Sequence, residues 1–310
     1  MSQHEKVVPE AAPPVLPATL RLGTVHLAVT DLDRSIAFYE DAIGLRLHRR
    51  EGSTAAMGVE EEDLLVLYEE PEARRAGRHA GLYHYALLFP SREELARAAL
   101  RLAATRTRIQ GASDHGTHEA IYLPDPDGNG IELAADRPRE RWPQTMEYAG
   151  GPHPLDLDGL LAVVAGEEPR GEAGPGLAIG HVHLHVGDLE QGLGFYRDVL
   201  GFESTALIPG AAAFVAAGGY HHHLGFNVWR GEGVPPAPPG RVGLRHWTVV
   251  LEDPEEVAAV RERVQDAGVE VEESESDGFL VRDPWGIALV LTHNSRRMRS
   301  PDKTPAPLGE

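Results

Sequence analysis

The chain repeats itself. His26 recurs as His183, Asp31 as Asp188, Phe38-Tyr39 as Phe195-Tyr196 and Gly44 as Gly201, each 157 positions later. Farther on, the stretch from Gly81 to Phe89 (GLYHYALLF) recurs as Gly243 to Leu251 (GLRHWTVVL), which pairs His84 with His246, and Asp125-Pro126 recurs as Asp283-Pro284. A repeat this long is a duplicated domain rather than a solenoid unit. The 310 residues are enough for two domains of ordinary size, each with its own core. Whatever one copy folds into, the other must follow.

Each copy reads as strand, helix and three strands, and then the same again. Val25, Leu27 and Val29 alternate onto one face of a strand, with His26 on the other. Thr30 or Asp31 caps a helix that Gly44 ends. Leu64 to Tyr68 is a further strand, and Leu82 to Phe89 another, with His84 opposite to Tyr83 and Tyr85. Ser91 and Glu94 spell a capping box for a second helix running to about Ala104. Residues 111–133 close the unit: two strands bend round Pro126-Asp-Gly-Asn-Gly130, where Gly128, Asn129 and Gly130 tolerate positive φ, and Glu132 faces away from Ile131 and Leu133. The expected boundaries are a disordered tail over 1–18, a first domain over 19–136 and a linker over 137–176. That linker holds a short helix near Leu155 to Val164. A second domain over 177–293 and a polar tail over 294–310 complete the chain.

Acidic residues outnumber basic ones 48 to 29, a net charge of −19, which argues against nucleic acid or an anionic membrane as partner. There is no cysteine, so any metal must be held by His, Asp or Glu. The first twenty residues show no apolar leader core and no run approaches membrane-spanning length, so the sequence reads as cytoplasmic. His26, His84 and Glu132 lie on three different strands. Two imidazoles and one carboxylate leave half an octahedral metal shell open, as in non-haem Fe(II) oxygenases. Taken one by one, the histidines could equally be strand residues with core hydrogen bonds, and Glu132 a solvent-facing carboxylate.

At this point the sequence resembles the vicinal oxygen chelate superfamily, and within it the type I extradiol ring-cleaving, catechol 2,3-dioxygenase-like proteins. The signature of the latter is met by His115, Ile121-Tyr122, Asp125-Pro126-Asp127-Gly128 and Glu132, with Ser113 a departure outside the chemistry. The resemblance implies an α+β fold of two tandem domains, each of paired βαβββ modules forming a cupped mixed sheet. It also implies Fe(II), or Mn(II), held by His26, His84 and Glu132. A small aromatic diol and O2 would be the substrates, His115 the acid–base residue, and Tyr122 a hydrogen-bond donor to the substrate oxygen. A homo-oligomer is compatible with all of this.

In the second copy Glu132 falls opposite Val290 and Tyr122 opposite Leu280, so the first domain is expected to be the active one. The histidines His181, His183, His185, His221, His222, His223 and His246 compete with that expectation: they could form an all-nitrogen metal site, line a pocket, or pack a degenerate domain. His48, His79, His118, His153 and His293 read as surface residues. Two rival functions share the fold. A glyoxalase-like Zn or Ni lyase generally takes a fourth ligand, usually Glu, where Leu67 stands here; a small-molecule binding or resistance protein generally lacks a metal triad.

Overall fold

A computed structural model describes residues 15–143, 152–274 and 277–293. The first module comprises β1 (Arg21–Val29), α1 (Leu32–Phe38), β2 (Arg46–Glu51), β3 (Thr54–Val59) and β4 (Glu62–Glu69). The second comprises β5 (Gly81–Phe89), α2 (Arg92–Ala104), β6 (Gly111–Asp114), β7 (His118–Pro124) and β8 (Gly130–Asp136). After β9 (His153–Pro154) and α3 (Leu157–Ala162), the third module holds β10 (Ala178–His185), α4 (Leu189–Leu193), β11 (Glu203–Ile208), β12 (Ala212–Ala216) and β13 (Leu224–Asn227). The fourth holds β14 (Gly243–Leu251), α5 (Pro254–Asp266), β15 (Glu272–Ser274), β16 (Gly278–Arg282) and β17 (Ala288–His293). The fold is the expected α+β arrangement of βαβββ modules in curled mixed sheets. In every module the first strand pairs in parallel with the last.

The sheets do not follow the repeat boundaries. An eight-stranded sheet runs β15-β16-β17-β14-β1-β4-β3-β2, joining the first module to the fourth. A nine-stranded sheet runs β11-β12-β13-β10-β5-β8-β7-β6-β9, joining the second to the third. Their seams are the antiparallel pairs β1–β14, which sets His26 against His246, and β10–β5, which sets His183 against His84. The repeat therefore marks the duplication, while each sheet draws one half from either copy.

Local chemistry fixes the elements that matter for the site. Asp31 caps α1 by accepting from the Arg34 N–H, and Ser91 caps α2 by accepting from the Glu94 N–H. In the β7–β8 turn, Asp125 Oδ1 accepts from the Asp127 and Asn129 N–H groups at 2.9 and 2.8 Å, and Tyr39 Oη donates to Oδ2. Only Gly128 of the turn has positive φ, at 91°. Gly130 serves close approach instead, since a Cβ there would lie 2.1 Å from the Tyr83 carbonyl oxygen.

The segment between the copies is docked where it is described. Arg97 pairs in a fork with Glu167, Arg92 donates to the Gly159 carbonyl, and the Ala173 N–H donates to Gly44 O. Its expected helix is α3. Of the N-terminal tail, residues 1–14 lie outside the described residues, but Leu16 is buried and its N–H donates to Gly201 O. The tail over 294–310 also lies outside them.

Candidate metal centre

Three side chains converge inside the nine-stranded sheet: His84 from β5, Glu132 from β8 and His181 from β10, all buried. His84 Nε2 lies 3.0 Å and His181 Nε2 3.1 Å from Glu132 Oε2, and the two nitrogens are 3.2 Å apart. Donors about 2.1 Å from one cation and at right angles to each other would stand about 3.0 Å apart, so the triangle has the dimensions of one face of an octahedral shell. Protonation fits as well. Burial pushes the His181 imidazole down toward its neutral form. Burial alone would raise the Glu132 carboxyl, but the imidazoles of His181, His118 and His84 directed at it outweigh that and hold the carboxyl well below the usual range. Neutral imidazoles and an ionised carboxylate are the forms that ligate metal.

The route by which His181 reaches the triangle is a β-bulge. The β10–β5 register slips between Ile179 and Val182, so the extra residue re-aims the chain just where Gly180 and His181 stand. A Cβ at Gly180 would meet Leu88 Cβ at 2.9 Å. The same bulge recurs in β1 between Leu22 and Val25, and there the residue corresponding to His181 is Thr24.

Of the residues expected to share one site, His84, His115, Tyr122 and Glu132 line a common cavity of about 390 Å³. His26 does not join them. It sits on β1 in the other sheet, its Nδ1 is 3.0 Å from Tyr68 Oη, and its ring stacks on His246 at 3.7 Å. Burial, with the nearby His246, pushes it down to about 3. Among the described residues His26 belongs to no ligand-capable cluster. The expectation let each copy close its own site, whereas in the structure the copies exchange halves and place His26 in the other sheet. The sheet around His26 has Thr24 and Val290 where its counterpart has His181 and Glu132.

Tyr122 Oη and His115 Nε2 are hydrogen-bonded at 2.7 Å. Burial, then the neighbouring His118, pushes His115 down to about 4. His118, expected at the surface, is buried: its Nδ1 is 2.9 Å from Thr117 Oγ1 and its Nε2 3.1 Å from Glu132 Oε1. That approach is a charge contact only, and Glu132 Oε1, the carboxylate oxygen that the triangle leaves over, is buried without a hydrogen-bond partner among the described residues.

The histidines of the second copy divide between roles. His183 and His222 line the cavity, which matches the pocket-lining alternative. His222 Nδ1 lies 2.9 Å from His221 Nδ1, and His221 Nε2 lies 3.0 Å from Asp136 Oδ1. An ionised Asp136 accepts the His221 N–H, which turns His221 Nδ1 into an acceptor for the His222 Nδ1–H. The signal that could have found His181 was the His-Val-His-Leu-His run itself, once the copies were allowed to exchange halves.

The fold and this centre define a member of the Glyoxalase/Bleomycin resistance protein/Dioxygenase superfamily, whose profile matches residues 21–133 and 178–291. The chain belongs to that family. It is 42% identical over 275 residues to the Catechol-2,3-dioxygenase of Bacillus subtilis (strain 168), covering 87% of this chain and 95% of that one. Glyoxalase I from Zea mays shares the fold at TM-score 0.57 and 19% identity, over 91% of this chain and 95% of that one. The cppA protein from Streptococcus pneumoniae TIGR4 does so at TM-score 0.52 and 14% identity, over 88% and 100%. No helix among the described residues is long and apolar enough to cross a membrane.

Proposed function

We propose that this protein is an extradiol dioxygenase that opens a catecholic ring beside its hydroxyls with O2, using Fe(II), or Mn(II) in its place, held by His84, Glu132 and His181. The observation that carries this is the donor triangle, with edges of 3.0, 3.1 and 3.2 Å, on the wall of a cavity that also holds the His115–Tyr122 pair. The relationship to a catechol-2,3-dioxygenase over most of both chains supports the same reading. When bound, the metal would make the diol more acidic and supply the reactivity toward O2.

The protein's own groups do the rest. His115, neutral at pH 7, can take a proton from a diol hydroxyl at Nε2 and return it later to the opening ring. Tyr122 Oη, held 2.7 Å from that nitrogen, can donate to a substrate oxygen as charge develops on it. Ile131 and Phe214, both buried, cover other parts of the cavity wall, and the half-exposed Trp229 stands at its margin. The lyase reading asks for a fourth, carboxylate ligand. With the centre in the nine-stranded sheet, the strand to supply it is β13, which reads Leu-Gly-Phe-Asn.

The test is elemental analysis of anaerobically purified protein, followed by catechol in air. About one iron or manganese per chain and a rising yellow absorbance is the expected result. Zinc or nickel with no colour would favour the lyase, and a metal-free protein that still binds catechol would favour a binding function.

A further inference from the structure

The cavity lining is of two chemical kinds. His84, Glu132, His115 and Tyr122 make up a polar part of it, and Ile208, Phe214 and Trp229 an apolar part, with Tyr83 packed against both His84 and Trp229. Tyr83 and Trp229 meet edge to face with centroids 5.2 Å apart, and His183 packs against both Trp229 and Phe214. We infer that the substrate is an uncharged catechol whose ring substituent, where it has one, is apolar, and that catechols bearing a carboxylate are rejected. This rests on the ring-cleavage reading and adds to it the charge and polarity of the substrate.

Four observations bear on it. Among the described residues, those lining the cavity include no lysine or arginine, so a substituent carboxylate would find no fixed cation. His183, which packs on Phe214 and Trp229, does not stand in for one. The Trp229 backbone N–H donates to Asn227 Oδ1, which fixes the orientation of that amide, and Asn227 Nδ2 then donates to His183 Nε2 at 2.9 Å. That bond occupies the His183 nitrogen, which is therefore not free to donate to a substituent carboxylate. Burying an unpaired carboxylate against Ile208 and Phe214 costs its hydration with nothing in return. Finally, the chain's net charge of −19 disfavours approach of an anion. An apolar group at the same place gains contact with the aromatic wall.

The experiment compares kcat/KM for catechol, 4-methylcatechol and 3-phenylcatechol with that for 3,4-dihydroxybenzoate and 3,4-dihydroxyphenylacetate. The same compounds are titrated calorimetrically into Co(II)-loaded protein. The acids are expected to be at least about 10²-fold poorer in both measurements. Ile208→Arg, which places a cation in the apolar wall, should raise kcat/KM for the acids by at least about 10-fold while lowering it for 4-methylcatechol. Equal or better turnover and binding of the acids by the unaltered protein would overturn the inference. A protein that cleaves none of the series yet binds the uncharged members preferentially would overturn ring cleavage and leave the inference standing.

Discussion

His26 and His181 differ in what surrounds them rather than in residue type. Both lie on the first strand of a module, but Glu132 stands beside only one of them. His181→Ala should therefore abolish metal retention, read as metal per chain after gel filtration. His26→Ala, which removes a ring bonded to Tyr68 and stacked on His246, should keep the metal at wild-type stoichiometry. The opposite pattern would restore His26 to the centre. His115→Ala is expected to retain metal and lower turnover by roughly 10² to 10⁴. Turnover equal to wild type would remove His115 from the chemistry. His84, Glu132, His115 and Tyr122 were legible because a local spacing marks three of them and the repeat marks the fourth; His181 was not, since its partners lie 49 and 97 residues away.

Among the elements, β8 is the one on which the site depends. It enters the sheet through a turn knitted by Asp125, and its first residue must pass within touching distance of β5. Gly130→Ala would press a methyl against the Tyr83 carbonyl, with His84 Cβ only 3.0 Å from the same point. The strand must shift, at about 1–3 kcal/mol or more, and Glu132 shifts with it. The expected outcome is a lower urea midpoint together with weaker metal binding. A variant as stable and as metal-avid as wild type would show that the strand tolerates the displacement. The helices, the turn and the strands were readable from caps and alternation. The bulge at Gly180 was not, because a one-residue slip shows only against a partner strand.

At the scale of the whole molecule, buried and half-buried histidines couple folding to pH. Burial pushes His26 down to about 3, and His185, His223 and His246 to about 4. A depressed folded value favours the neutral ring in the native state. These residues therefore stabilise the fold above the unfolded value of about 6.5, and that stability is lost as pH falls toward 4. Asp283, raised by burial to about 6, acts in the other sense, favouring the fold when protonated. Asp125 is likewise raised by burial. Four histidines outweigh the two carboxyls over that range, so urea midpoints of metal-free protein should fall steadily from pH 7 to pH 5. A flat or rising profile would show that the rings are solvated.

By itself the sequence determined the duplication, the βαβββ order of each module and the family signature from His115 to Glu132. These follow from local rules: alternation on strands, capping of helices and turn chemistry, together with identity at a constant spacing. Which modules share a sheet is a different kind of fact. Two copies can close on themselves or exchange halves, and both solutions bury the same apolar faces, so hydrophobic pattern cannot choose between them. Only the tertiary structure set β5 against β10, and so brought His181 of the second copy beside His84 and Glu132.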